Sequence, residues 1–220
     1  YELEGRKISY TVQPKEPAAK KAVEYFRVNQ HRLQLGNIGL EIKKKDGRLA
    51  KAADIKKIKQ KLDLWTGIIT SSFTVEDVPV TVTTFCNQQK DAVSFSIESP
   101  LINTGQLEVR VRIPNPNGQW KDVGNNWNDG KLQSDFFNPK PWAAAFSCNI
   151  DATWYFIYAN WADKATVQKK EDNYYLIKPL GKDAFRLTVL FSPHQNLPVP
   201  FDFYSEKEKN KYAWKNFWLS

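Results

Sequence analysis

From Leu62 onward, apolar residues recur at every second position in short runs broken by turn residues, and this period most constrains the fold. Val78, Val80, Val82 and Phe85 make one run and Ala92 to Ile97 the next. Leu107, Val109, Val111 and Ile113 make a third, with Glu108, Arg110 and Arg112 between them. Such alternation puts successive side chains on opposite faces, so each run specifies a strand with one buried side. Leu62, Leu64, Ile68 and Ile69 lead into Phe73 and Val75, and Glu76-Asp77 supplies the turn that follows. Trp154 to Trp161, Tyr174 to Ile177 and Phe185 to Phe191 continue the series. Many short strands separated by turn signals predict a sandwich or a related antiparallel fold.

Helical signals are few. Glu16 to Phe26 reads as a short helix, with Pro17 at its first position and Ala18, Ala19, Ala22, Val23, Tyr25 and Phe26 as an apolar stripe. Ile55, Ile58 and Leu62 give the Ala52 to Lys61 stretch a helix-like spacing. Asp46-Gly47 predicts a hairpin turn. Pro114 to Pro141 is dense in Asn, Gly and Pro and predicts a long irregular loop. In 220 residues no apolar run approaches about 20, so no helical membrane span is expected. The first residue is Tyr1, with neither an initiator Met nor a signal peptide, which predicts a processed or trimmed start.

The last stretch, Ser205 to Ser220, sets Tyr212, Trp214, Phe217 and Trp218 among Lys and Glu. On a helix Trp214, Phe217 and Trp218 form one aromatic ridge. Exposed aromatic patches usually mark a contact, so the ridge is expected to await a partner surface. The domain division that follows is a sandwich over 1–204 and the start of a linker helix over 205–220. Cys86 and Cys148 make neither a disulfide framework nor a metal spacing and are expected as two buried free thiols. The net charge of +8 gathers in Lys43 to Lys45 and in Lys56, Lys57, Lys59 and Lys61. A basic chain rich in aromatics raises single-stranded nucleic acid as a ligand. The Lys clusters lie apart from most Trp, however, and Arg is scarce, so solvated lysine without a nucleic-acid partner is the favoured alternative.

Trp120, Trp127 and Trp142 fall in or at the end of the long loop, among Asn125, Asp129 and other amides. Aromatic faces stack on sugar rings, while amides and carboxylates pair with hydroxyls, so these five residues are candidates for binding an oligo- or polysaccharide. The competing role for the Trp is to close the open end of a sandwich. His31 and His194 are the only histidines, and no metal site, cofactor site, nucleophile motif or phosphate loop can be assembled. Asp63, Asp122, Asp129 and Asp151 are available as carboxylates, but turn or surface duty explains each, and no catalytic residue is assigned.

Leu62-Asp63-Leu64-Trp65-Thr66-Gly67-Ile68-Ile69, the Phe73 to Phe85 hairpin and Asp91-Ala92-Val93 resemble the amino-terminal β-sandwich of the maltose and kojibiose phosphorylase group. Asn29 to Leu40, Ser99-Pro100-Leu101, Asp151 to Tyr155 and Trp214-Lys215-Asn216-Phe217-Trp218 resemble a bacterial group of glycosidases with a related domain before an (α/α)6 barrel. The resemblance implies a mainly β fold, an antiparallel β-supersandwich of the galactose-mutarotase type with a few short helices and a C-terminal linker helix. It also implies further sequence before Tyr1, and a non-catalytic amino-terminal domain packed on its own C-terminal catalytic barrel and able to lend a loop to the sugar pocket. Tyr212, Trp214, Phe217, Trp218, His31 and Arg32 are the candidate interface residues. A periplasmic or extracellular location is expected on the same ground. His31 and His194 sit outside clear strands, which argues against aldose epimerisation. Two alternatives stay open: an independent glycan-binding module using the loop tryptophans, and a single-stranded nucleic-acid binder.

Overall fold

The computed structural model describes residues 2–7, 14–27, 34–115, 127, 132–150, 152–195 and 200–220. Two compact units are formed. One, Tyr1–Leu33 with Asn115–Gly130, holds a hairpin of β1 (Glu2–Leu3) and β2 (Arg6–Lys7) and the helix α1 (Pro17–Arg27). The predicted helix is thus present, with Pro17 at its start, although its described side chains are exposed apart from a half-buried Val23.

The other unit, Gln34–Pro114 with Lys131–Ser220, contains two antiparallel sheets. Its strands are β3 (Asn37–Ile42), β4 (Ile55–Asp63), β5 (Ile68–Val75), β6 (Val78–Cys86), β7 (Ala92–Glu98), β8 (Leu107–Arg112), β9 (Gln133–Lys140), β10 (Ala143–Ile150), β11 (Thr153–Trp161), β12 (Ala165–Glu171), β13 (Tyr174–Pro179) and β14 (Ala184–Ser192). Eight form one sheet in the order β4-β5-β6-β7-β14-β11-β10-β9, and four form the other in the order β12-β13-β8-β3. A short helix α2 (Pro100–Asn103) joins β7 to β8, and α3 (Phe203–Leu219) ends the chain. The mainly β, antiparallel supersandwich with a C-terminal helix is therefore the fold.

The core lies between the sheets. Tyr175 on β13 meets Phe136 on β9 at 5.4 Å and Phe146 on β10 at 4.8 Å between ring centroids. Its hydroxyl donates to the Ser134 carbonyl at 2.8 Å, so even the polar tip of this buried ring is satisfied across the interface. Val109, Val111 and Ile177, on the same face of the small sheet, are fully buried, as period two requires. On its other face Glu41 is fixed by Lys170 Nζ, 2.8 Å from both carboxylate oxygens, and by the Tyr174 hydroxyl. Burial alone would push the Glu41 carboxyl up. The bonds from Lys170 and Tyr174, with the charges of Lys170 and Lys43, outweigh it and hold the group below its ordinary range.

Three expectations are corrected here. Ala52 to Lys61 is no helix: a 3-10 turn over Ala52–Asp54 leads into β4. A bulge between Lys56 and Lys59, with Lys57 at φ 52°, resets the alternation and leaves Ile55, Ile58 and Leu62 at a helix-like spacing on a strand. Lysines and a bulge on an edge strand also deter pairing with another chain, which gives that cluster a structural duty. The predicted irregular region is shortened by β9, whose edge position tolerates Pro139. Cys86 is exposed while Cys148 is buried, and both are free thiols. Burial pushes the Cys148 thiol up to about 12, against a smaller effect of its bond with Tyr155.

Candidate functional site

The C-terminal helix is seated on the sandwich by one stripe of residues, at 203, 206, 210, 214 and 218, the three- and four-residue steps of a single helical face. Asp202 caps it, Oδ1 accepting from the Tyr204 and Ser205 amides at 3.0 and 3.2 Å. Phe203 packs edge-on against Phe85 at 5.2 Å and joins Ile68 in a buried cluster. Asn87 donates to Glu206. Asn210 accepts from Gln88 Nε2 at 2.6 Å and donates to the Thr66 carbonyl at 2.6 Å. Trp214 lies on Gly67, and Trp218 Nε1 donates to the Leu64 carbonyl at 2.6 Å.

This seat explains the Leu62 to Gly67 motif. Asp63 Oδ1 accepts from the Trp65 amide at 3.0 Å, and the Asp63 carbonyl accepts from Gly67 N at 2.8 Å, which closes the turn between β4 and β5. Gly67 sits at φ +62°, and an added Cβ would overlap the Trp214 indole. Motif and aromatic tail are thus two halves of one contact. Trp214 is half-buried in it, while Tyr212, Phe217, Trp218 and Leu219 remain 69%, 62%, 46% and 67% exposed. Trp65, 59% exposed, approaches Trp218 at 6.4 Å and extends the patch across the turn with Leu64. The ridge is real as well, since Trp214 lies 5.7 Å from Phe217 and 6.4 Å from Trp218.

Of the five candidate sugar contacts, Trp120, Asn125 and Asp129 lie outside the described residues, as do the interface candidates His31 and Arg32 and the carboxylates Asp122 and Asp151. The Trp127 carbonyl accepts from Asn115 Nδ2 at 3.4 Å. Trp142, in the turn between β9 and β10, is half-buried and lines a cleft of about 400 Å³ with Asn160, Trp161, Ala162, Pro200, Phe201 and Asp202. Its carbonyl accepts from the Trp161 amide at 3.0 Å, tying that turn to the end of β11.

Sequence reasoning missed Asn160. It is 4% exposed, and among the described residues neither Nδ2 nor Oδ1 has a hydrogen-bond partner. The cause is its place in the sheet. Asn160 pairs with Ala143 on β10 and Thr188 on β14, and Thr188 pairs in turn with Ser94. The Thr188 and Ser94 hydroxyls bond each other at 2.8 Å, and Ala143 offers only a methyl group. An unpaired buried polar group costs about 1–3 kcal/mol, so the amide is a local liability in the free protein. The Trp161 indole N–H is likewise buried without a partner. No local pattern announces such a residue, because its isolation depends on strands distant in sequence.

Among the described residues no group of His, Cys, Asp and Glu could hold a metal ion, and no helix is long and apolar enough to cross a membrane. His194 is exposed beyond the end of β14.

No curated protein matches the chain. A protein assigned as a kojibiose phosphorylase from the human microbiome superposes with a TM-score of 0.55 at 11% identity, over 81% of this chain and 27% of its own. A bacterial glucoamylase complexed with acarbose superposes with a TM-score of 0.50 at 8% identity, over 82% of this chain and 31% of its own. These likenesses support the fold, and the chain spans under a third of the length of either protein. The family model for the glycosyl hydrolase family 65 N-terminal domain matches residues 9–188, and the chain belongs to that family.

Proposed function

We propose that this chain is the non-catalytic amino-terminal supersandwich of a carbohydrate-active enzyme, and that α3 begins the connection to an (α/α)6 catalytic barrel packed against it. The observation that carries this is the exposed apolar surface that Leu64 and Trp65 of the β4–β5 turn form with Phe217, Trp218 and Leu219 at the end of a helix already anchored through Asn210 and Trp218. Patches of this kind usually mark contacts. The family is named for an amino-terminal domain, and both structural neighbours are much longer chains, which supports a barrel as the occupant. Two of the described carboxylates have structural duties: Asp63 builds a turn, and Glu41 is salt-bridged to Lys170, which holds its carboxyl below the ordinary range. The same proposal puts the parent enzyme in the periplasm or outside the cell, with the family resemblance as its support.

The test is to compare this chain with a form carrying its natural continuation. The longer form should melt at higher temperature, and acrylamide should quench its Trp65 and Trp218 fluorescence less. Equal melting and equal quenching would remove the docking reading.

A further inference from the structure

We infer that the cleft between Trp142, the end of β11 and the segment entering α3 is a saccharide-binding site belonging to the sandwich itself. Three observations converge on it. First, Asn160 is one of the residues lining the cleft, and just beneath its surface both the donor and the acceptor of its 4%-exposed amide are unpaired among the described residues. Second, that amide lies on the face of the large sheet that α3 covers. Phe85, Ser94, Thr188 and Asn160 form one cross-strand row, and Phe203 packs on Phe85. Third, the walls are aromatic: Trp142 and Phe201 are both half-buried.

The chemistry selects the ligand class. A hydroxyl group both donates and accepts, so neighbouring hydroxyls on one ring can satisfy an amide's N–H and C=O together. The apolar face of a pyranose suits an indole or phenyl wall. A volume of about 400 Å³ falls within the range of sites for small organic ligands, roughly 300–1,000 Å³. The charges at the rim are already engaged. Asp202 Oδ1 caps α3, and Lys90 Nζ stands over the Phe201 ring at 5.1 Å. A neutral ligand with several hydroxyls therefore fits better than an ionised one. Every residue of the site lies in one compact unit, so binding does not require the barrel and stands or falls apart from the docking reading.

Calorimetry on the 220-residue chain with maltotriose, cellotriose and xylotriose, and with adenine as a non-sugar that could use the same amide and aromatic walls, tests the site. One trisaccharide should bind saturably at a single site. Asn160→Leu should weaken it tenfold or more, and Trp142→Ala by a similar factor, each variant keeping a cooperative melt. The second variant keeps the site testable if the first does not fold. Absence of saturable binding by all three sugars, binding of adenine in their place, or unaltered affinity in a folded variant of either residue would each overturn the assignment.

Discussion

Asn210 on α3 and Asn160 on β11 are both almost fully buried, at 1% and 4% exposure, yet the fold treats their amides in opposite ways. The Asn210 amide bonds Gln88 with its oxygen and Thr66 with its nitrogen, and so joins the helix to two separate turns. The Asn160 amide bonds neither neighbour in its own sheet. A saturated buried amide specifies one arrangement of the elements it joins, whereas an unsaturated one costs stability that a ligand can restore. The contrast separates the part of the molecule that holds the helix from the part able to recognise something.

The largest effect should come from breaking the seat beneath Asn210. Gly67→Ala places a side chain on backbone at φ +62° and drives it into Trp214, so strain and overpacking add. A loss of about 3 kcal/mol is expected in urea unfolding. A loss below about 1 kcal/mol would mean that α3 is not seated there. Asn210→Leu comes next. It strips partners from Gln88 and the Thr66 carbonyl while keeping the volume, and about 2 kcal/mol should be lost.

How far such features are legible in sequence depends on where a strand sits. Interior strands such as β6, β7, β8, β11, β13 and β14 show in the alternation of residues such as Val80, Val109 and Val111, but interior β10, opening on three alanines, has no alternation to announce it. The edges were harder. β4 imitates a helix through its Lys57 bulge, β9 hides behind Asn138-Pro139, and β12 carries Gln168, Lys169 and Lys170 where an apolar face would have marked it. An edge strand buries less and tolerates Pro, charge and irregularity, so its pattern is weak. At the functional surfaces, Trp142 and the tail aromatics were visible as residue types. That Trp214 rests on Gly67, or that Thr188 is lost to Asn160 through Ser94, is written only in contacts between distant segments.

The smallest effect sharpens the comparison most. Asn160→Leu removes the amide that Asn210→Leu also removes, with nearly the same change of shape, but it breaks no hydrogen bond. Replacing an unpaired buried amide by an apolar side chain of similar volume relieves a desolvation cost. The folded protein should therefore be unchanged or up to about 1 kcal/mol more stable, opposite in sign to its counterpart on α3. A urea midpoint at or above that of the parent, with an unchanged slope, is the expected result. A loss close to that of Asn210→Leu would show that Asn160 has a structural partner in solution, and the distinction between the two amides would collapse. The sign of this one difference decides whether residue 160 is part of the scaffold or is held ready for a ligand.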